Sequence, residues 1–259
     1  MNVLYAHNVI YIWAMACLLL DIAVYRFAFA ALRKRFPTTD TYELFRLALD
    51  ISGSVMMAIA TVCNVAGIML TYDPFTGRLL ADHPMCTLNL ISALLISIHF
   101  CLDILSQVQM CTPLLIHHLI AITWGIYTLN VTTNPWVLSL GAFFNALAGL
   151  DVVYYASFAV NRYLKITGQM GTGSTMDHLS AVLIYMNGKP LFNVYVGIQV
   201  AQSTFLLYNR AQFHEMFVVI FFVLLPGLFA AQYVATQSSQ RLYMKRIRMI
   251  ADAASNKKI

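Results

Sequence analysis

Charge is what this chain has least of. Of its 259 residues only 27 are charged, 16 Lys or Arg and 11 Asp or Glu. That is 10%, against roughly 25% in a soluble domain. With 60% hydrophobic residues and a mean hydropathy of +0.70, a disordered chain is excluded and a soluble enzyme is not expected. The apolar stretches lack period-2 alternation and are too long for barrel strands, so a membrane β-barrel is excluded too. The five cysteines, Cys17, Cys63, Cys86, Cys101 and Cys111, show no paired spacing. They read as small buried residues, with no disulfide framework and no metal site. No internal repeat and no soluble domain is visible. The first apolar run has no basic segment ahead of it, so no cleavable signal peptide is expected.

What is there is long apolar runs. A spanning helix needs about 20 mainly apolar residues, and seven segments qualify, at about 8–32, 47–71, 87–107, 110–130, 136–160, 180–207 and 213–237. The fold class that follows is all-α, a polytopic membrane bundle forming one domain over 1–259. Cation bias orients such bundles. With the N-terminus outside, 12 bases fall on the inner side, among them Arg33, Lys34, Arg35, Arg46, Arg162 and Lys165, and only Arg78 and Arg210 on the outer. The net charge of +5 is therefore mostly topology. Nucleic acid is not an expected partner, because a basic tail beside a span (238–259) meets anionic lipid headgroups. Asn130-Val131-Thr132 is a glycosylation sequon so close to the membrane surface that it is expected to stay unused. Pro226-Gly227 predicts a kink in the last span.

Ionisable residues inside spans cost about 2.5–3.5 kcal/mol each and usually face a cavity or a partner. Their depths coincide here. Counted from the inner span ends, Arg26, Asp50, Asp103, His117, His118, Asp151 and Lys189 fall in a layer roughly 6–14 Å inside the boundary, at 1.5 Å per residue. Six helices contribute to it, and Asp21 lies nearer the centre. The layer predicts a polar pocket open to the inner face, with Arg26 and Asp50 as an ion pair beside it. Asn187-Gly188-Lys189-Pro190 breaks a span, which is tolerated at membrane depth where protein or cavity water satisfies the backbone. Neighbouring helix residues point about 100° apart, so His117 and His118 do not chelate one metal. One imidazole is expected to face the cavity and the other to anchor to a neighbouring helix, with Asp103 or Asp151 orienting a ring.

Several segments share order and spacing with the TLC family of membrane proteins, which includes ceramide synthases and non-catalytic relatives. Asp73-Pro74 with Gly77 resembles its outer loop. Ile98-His99-Phe100-Cys101-Leu102-Asp103 resembles the end of a core span, Leu115-Ile116-His117-His118-Leu119 the double-His segment, and Asp151-Val152-Val153 the second Asp of the ceramide synthase signature. Asn187-Gly188 resembles the opening of a later span. The resemblance covers about 45–240. In an enzyme of this kind it implies acyl transfer from acyl-CoA to an amine, with His117, His118 and Asp151 as the catalytic group.

The chain departs from the enzymes where cations are needed. Ser106-Gln107-Val108-Gln109-Met110-Cys111-Thr112-Pro113 replaces a basic loop and carries no charge, whereas acyl-CoA phosphates require cations. Arg162 and Lys165 are the nearest substitutes. The favoured expectation is therefore a non-catalytic TLC-like protein with no cofactor of its own. It binds a lipid, such as a phospholipid, through Asp103, His117, His118, Asp151, Asn187 and Lys189. It would act as a lipid regulator or an accessory subunit in a larger assembly of the endoplasmic reticulum or mitochondrial inner membrane. The acyl-CoA-dependent N-acyltransferase is the alternative. A transporter or proton channel comes third and lacks the internal repeats such folds show.

Overall fold

Each apolar run folds as helix in the computed structural model, which describes residues 3–73, 75, 78–79, 87–106, 112–130 and 134–256. The helices are α1 (Val3–Arg35), α2 (Thr41–Thr71), α3 (Thr87–Ser106), α4 (Thr112–Asn130), α5 (Pro135–Asn145), α6 (Ala148–Ile166), α7 (Thr175–Met186), α8 (Lys189–Tyr208) and α9 (Glu215–Asn256). A two-residue hairpin follows α2, with β1 (Tyr72–Asp73) antiparallel to β2 (Arg78–Leu79) and Tyr72 opposite Leu79. Pro74, Gly77, Cys86, Gln107–Cys111, Val131, Thr132, Lys257 and Lys258 lie outside the described residues.

Local chemistry sets the helix ends. Asp40 caps α2 by accepting from the Glu43 amide at 3.3 Å. Asn134 caps α5 through the Trp136 amide at 2.9 Å, with Pro135 pre-set in the first turn. Ser174 caps α7. Ahead of it, Gly168, Gly171 and Gly173 adopt left-handed φ of 66°, 80° and 72°, a region that side chains with a Cβ rarely enter.

Five stretches among the described residues are long and apolar enough to cross a membrane: Ile10–Arg35, Thr41–Thr71, Thr87–Ser106, Ser139–Ile166 and Phe217–Ser255. Apolar side chains point outward along them. Phe27 is 78% exposed and Met69 78%, an arrangement unfavourable in water but matched to lipid. The bundle is that of an integral membrane protein. The fifth expected span is α5 running into α6. The sixth divides, because α7 stops at Asn187 and α8 restarts after Gly188 with Pro190 in its first turn. Helix α9 passes unbroken through Pro226.

Helix α2 is the centre of the bundle and packs against α1, α3 and α6. Its inward positions Leu44, Leu47, Ala48, Met56, Met57 and Ala60 recur at helical spacing. A second core surrounds Trp124, where α4, α5, α8 and α9 bring together Leu140, Leu206, Phe217 and Phe221. Helices α4 and α9 pack together on one side, and α6, α7 and α9 on another. Among them a cavity is left.

Candidate functional site

The cavity holds about 250 Å³ and is enclosed by α4, α6, the α7–α8 junction and α9. Leu150, Phe158, Leu191, Phe192 and Ala235 give it apolar walls. His117, His118, Asp151 and Asn187 line it, together with Tyr154, Tyr155, Tyr195 and Gln232.

The two histidines divide their work. His118 is 1% exposed and lies flat on Phe100, with ring centroids 4.1 Å apart and 9° between planes. Its Nε2 is 2.8 Å from Asp103 Oδ2, which also accepts from the Tyr155 hydroxyl at 3.3 Å. A carboxylate accepts only, so Nε2 carries the proton and Nδ1 is a lone pair with no protein partner. His117 is reached by the Gln232 amide, whose Nε2 is 3.3 Å from Nδ1. That places the His117 proton on Nε2, facing Asp151 Oδ2 across 3.9 Å, too far for a hydrogen bond. Asp103 therefore stands behind the wall, orienting His118, while Asp151 stands in it.

The break between α7 and α8 supplies the remaining polar atoms. Asn187 Nδ2 donates to Ser157 Oγ at 2.5 Å, leaving Asn187 Oδ1 unpartnered. Along α8, Tyr195, Gln199 and Gln202 are all buried on one face. Their spacing of four and three residues in an apolar helix is the signal the sequence carries for this face.

Three expected members of the layer sit elsewhere. Arg26 is exposed and does not pair with Asp50. Asp50 is instead held by Arg162 Nε at 3.0 Å. Lys189 is also exposed and does not line the cavity, because the first turn of α8 turns it outward. Arg162 also bonds Glu43 at 3.1 Å, and Lys165 bonds Glu43 at 2.8 Å. Neither cation is left to serve a phosphate in the cavity.

A second His–carboxylate pair, which the sequence did not flag, lies deeper. His99 Nδ1 is 2.9 Å from Asp21 Oδ2, and Ser52 Oγ donates to Asp21 Oδ1 at 2.5 Å. This pair joins α1, α2 and α3 and accounts for the carboxylate nearest the centre of its span. His99 meets the edge of Tyr155 with centroids 5.0 Å apart, so the two pairs are packed against each other. No three His, Cys, Asp or Glu side chains gather as a metal site among the described residues.

No family model, no curated protein and no solved structure matches the chain.

Proposed function

We propose that this is a non-catalytic, TLC-like membrane protein of seven spans, N-terminus outside and C-terminus inside, that holds one lipid in the cavity. The observation that carries the reading is the wall itself. It is largely apolar, its polar atoms gather around His117, His118, Asp151 and Asn187, and no Lys or Arg of the described residues lines it. An acyl chain gains from such walls by dispersion contact. Beside the hydroxyls of the wall, three acceptors are offered: the Asp151 carboxylate, Asn187 Oδ1 and His118 Nδ1. A hydroxyl or amine suits them, whereas a phosphate needs cations. The ligand is thus a lipid with a hydrogen-bond-donating polar group, narrower than the phospholipid expected from sequence.

Mass spectrometry of lipid extracted from the purified protein is expected to find about one such lipid per chain. Leu191→Trp, which fills the cavity, should lose it while remaining monodisperse. Wild-type protein carrying no more lipid than this variant would refute the reading. In the accessory-subunit form, the chain migrates within a larger complex on native gels after mild extraction, and migration alone excludes that role.

The 2.8 Å pair between His118 and Asp103 favours a second reading, acyl-CoA-dependent N-acyl transfer with His118 as base. It predicts turnover that His118→Ala abolishes. Wild-type protein inert across a panel of acyl-CoAs and long-chain amines removes it.

A further inference from the structure

Helix α9 has 42 residues, about 63 Å of helix, while the hydrocarbon core of a bilayer is about 30 Å. Its C-terminal half therefore runs through the headgroup region. Arg246 marks the depth. It is 4% exposed and donates to Asp177 Oδ1 at 2.9 Å in the first turn of α7, and to Asn161 near the end of α6. The end of α6 and the start of α7 lie close to that level.

The other side of α9 has different chemistry. Arg241, Lys245 and Arg248 follow at spacings of four and three residues, roughly 100–160° around the helix from Arg246. All three are exposed and, among the described residues, none is paired with a carboxylate. With Gln237, Gln240, Met244 and Met249 they line a shallow, open groove along α9 alone, which has one acid, Asp252, at its far end. Donors and cations fill it, opposite in character to the cation-free cavity.

We infer that this groove binds the headgroup of an anionic phospholipid. The phosphate oxygens accept from the two guanidinium groups and the Lys245 ammonium, with the Gln240 amide as a further donor. Arginine forks match phosphate oxygens in pairs, and three basic side chains at a membrane surface give roughly a 100-fold preference for anionic over zwitterionic lipid. The inference needs only that α9 crosses the bilayer. It stands whatever occupies the cavity.

The test uses full-length protein in phosphatidylcholine nanodiscs, titrated with fluorescent phosphatidylglycerol. Binding roughly 100-fold in favour of phosphatidylglycerol is expected, falling to within about threefold of parity in Arg241→Gln/Lys245→Gln/Arg248→Gln. The control Arg33→Gln/Lys34→Gln/Arg35→Gln removes the same charge from the end of α1 and should keep the preference. An equal loss in both variants would mean that total charge attracts the lipid, which overturns the site, as does no preference in the wild type. Inorganic phosphate at tens of millimolar should leave the lipid bound. Displacement by it would assign the groove to a free anion and overturn the lipid.

Discussion

Asp103 connects the bundle to the cavity, and its replacement has a calculable cost. Asp103→Leu removes the acceptor of a 2.8 Å bond from His118 and a 3.3 Å bond from Tyr155, both in a closed environment. Removing one partner of a buried charged pair costs about 3–5 kcal/mol. Interhelical bonds in membranes average nearer 0.6 kcal/mol. One short bond to a carboxylate plus one long bond places the loss at about 3 kcal/mol. His118→Phe keeps the ring stacked on Phe100 and loses only the proton donor, at about 2 kcal/mol. Where both partners become apolar the loss is smaller than the sum, because no buried donor faces a missing acceptor except Tyr155. The double variant should therefore lose about 3 kcal/mol rather than about 5. The assay is reversible unfolding of the four proteins in bicelles. Losses that add to within about 0.5 kcal/mol would show that His118 and Asp103 do not depend on each other and refute the geometry. The double variant should also hold its lipid less tightly, because His118 Nδ1 is one of the acceptors in the cavity wall.

Asp21→Ala strips acceptors from His99 and Ser52 and should cost about 3 kcal/mol. It should also expose the α1–α2 connection to protease, because this pair is the polar anchor of an otherwise outward-facing α1. Unchanged stability and proteolysis would remove that role. Gly53→Ala would place a Cβ 2.6 Å from both His99 Nε2 and the Tyr155 ring, an overpacking cost of about 1–3 kcal/mol. It should also lower lipid retention by shifting Tyr155 off Asp103. Gly197→Ala meets nothing within 4 Å and should gain about 0.5–1 kcal/mol in the same unfolding assay. Equal outcomes for the two glycines would contradict the close approach at Gly53.

Depth was legible in the sequence and direction was not. Counting residues from the end of an apolar run gives the height of a side chain in the membrane, and that count set His117, His118 and Asp151 at one height; all three line one cavity. It put Arg26 and Lys189 at the same height and could not tell that both point outward. The reason is physical: a helix apolar on every side carries little moment to say which face is inward. Asp50 shows the same limit. Arg26 is nearer in sequence, but Arg162, 112 residues away, reaches the carboxylate because α6 packs on α2. The helices themselves were legible because length and apolarity decide them. The division of the sixth segment was foreshadowed by Asn187-Gly188-Lys189-Pro190, whose broken backbone now borders the cavity.

The cation-free wall of the cavity follows from how the nearest cations are spent. Arg162 and Lys165 are taken by Asp50 and Glu43, and Arg246 by Asp177. Among the described residues, Asp151 is left with only His117 Nε2, 3.9 Å away. A hydroxyl oxygen about 2.8 Å from both atoms fits that interval, accepting from His117 and donating to Asp151. A phosphate at the same point would set its charge against the carboxylate with no counterion in a medium that screens poorly. Outside on α9, three cations line a groove with one acid at its end, and there the balance reverses. In the proposed function the protein would thus sort lipids by the charge of their polar group: donors to the cavity, phosphates to the groove. Grafting one cation into the wall, as in Leu114→Arg, should weaken retention of a hydroxyl lipid and admit an anionic one. Retention of the original lipid, unchanged in identity and amount, would show that wall charge does not select the occupant.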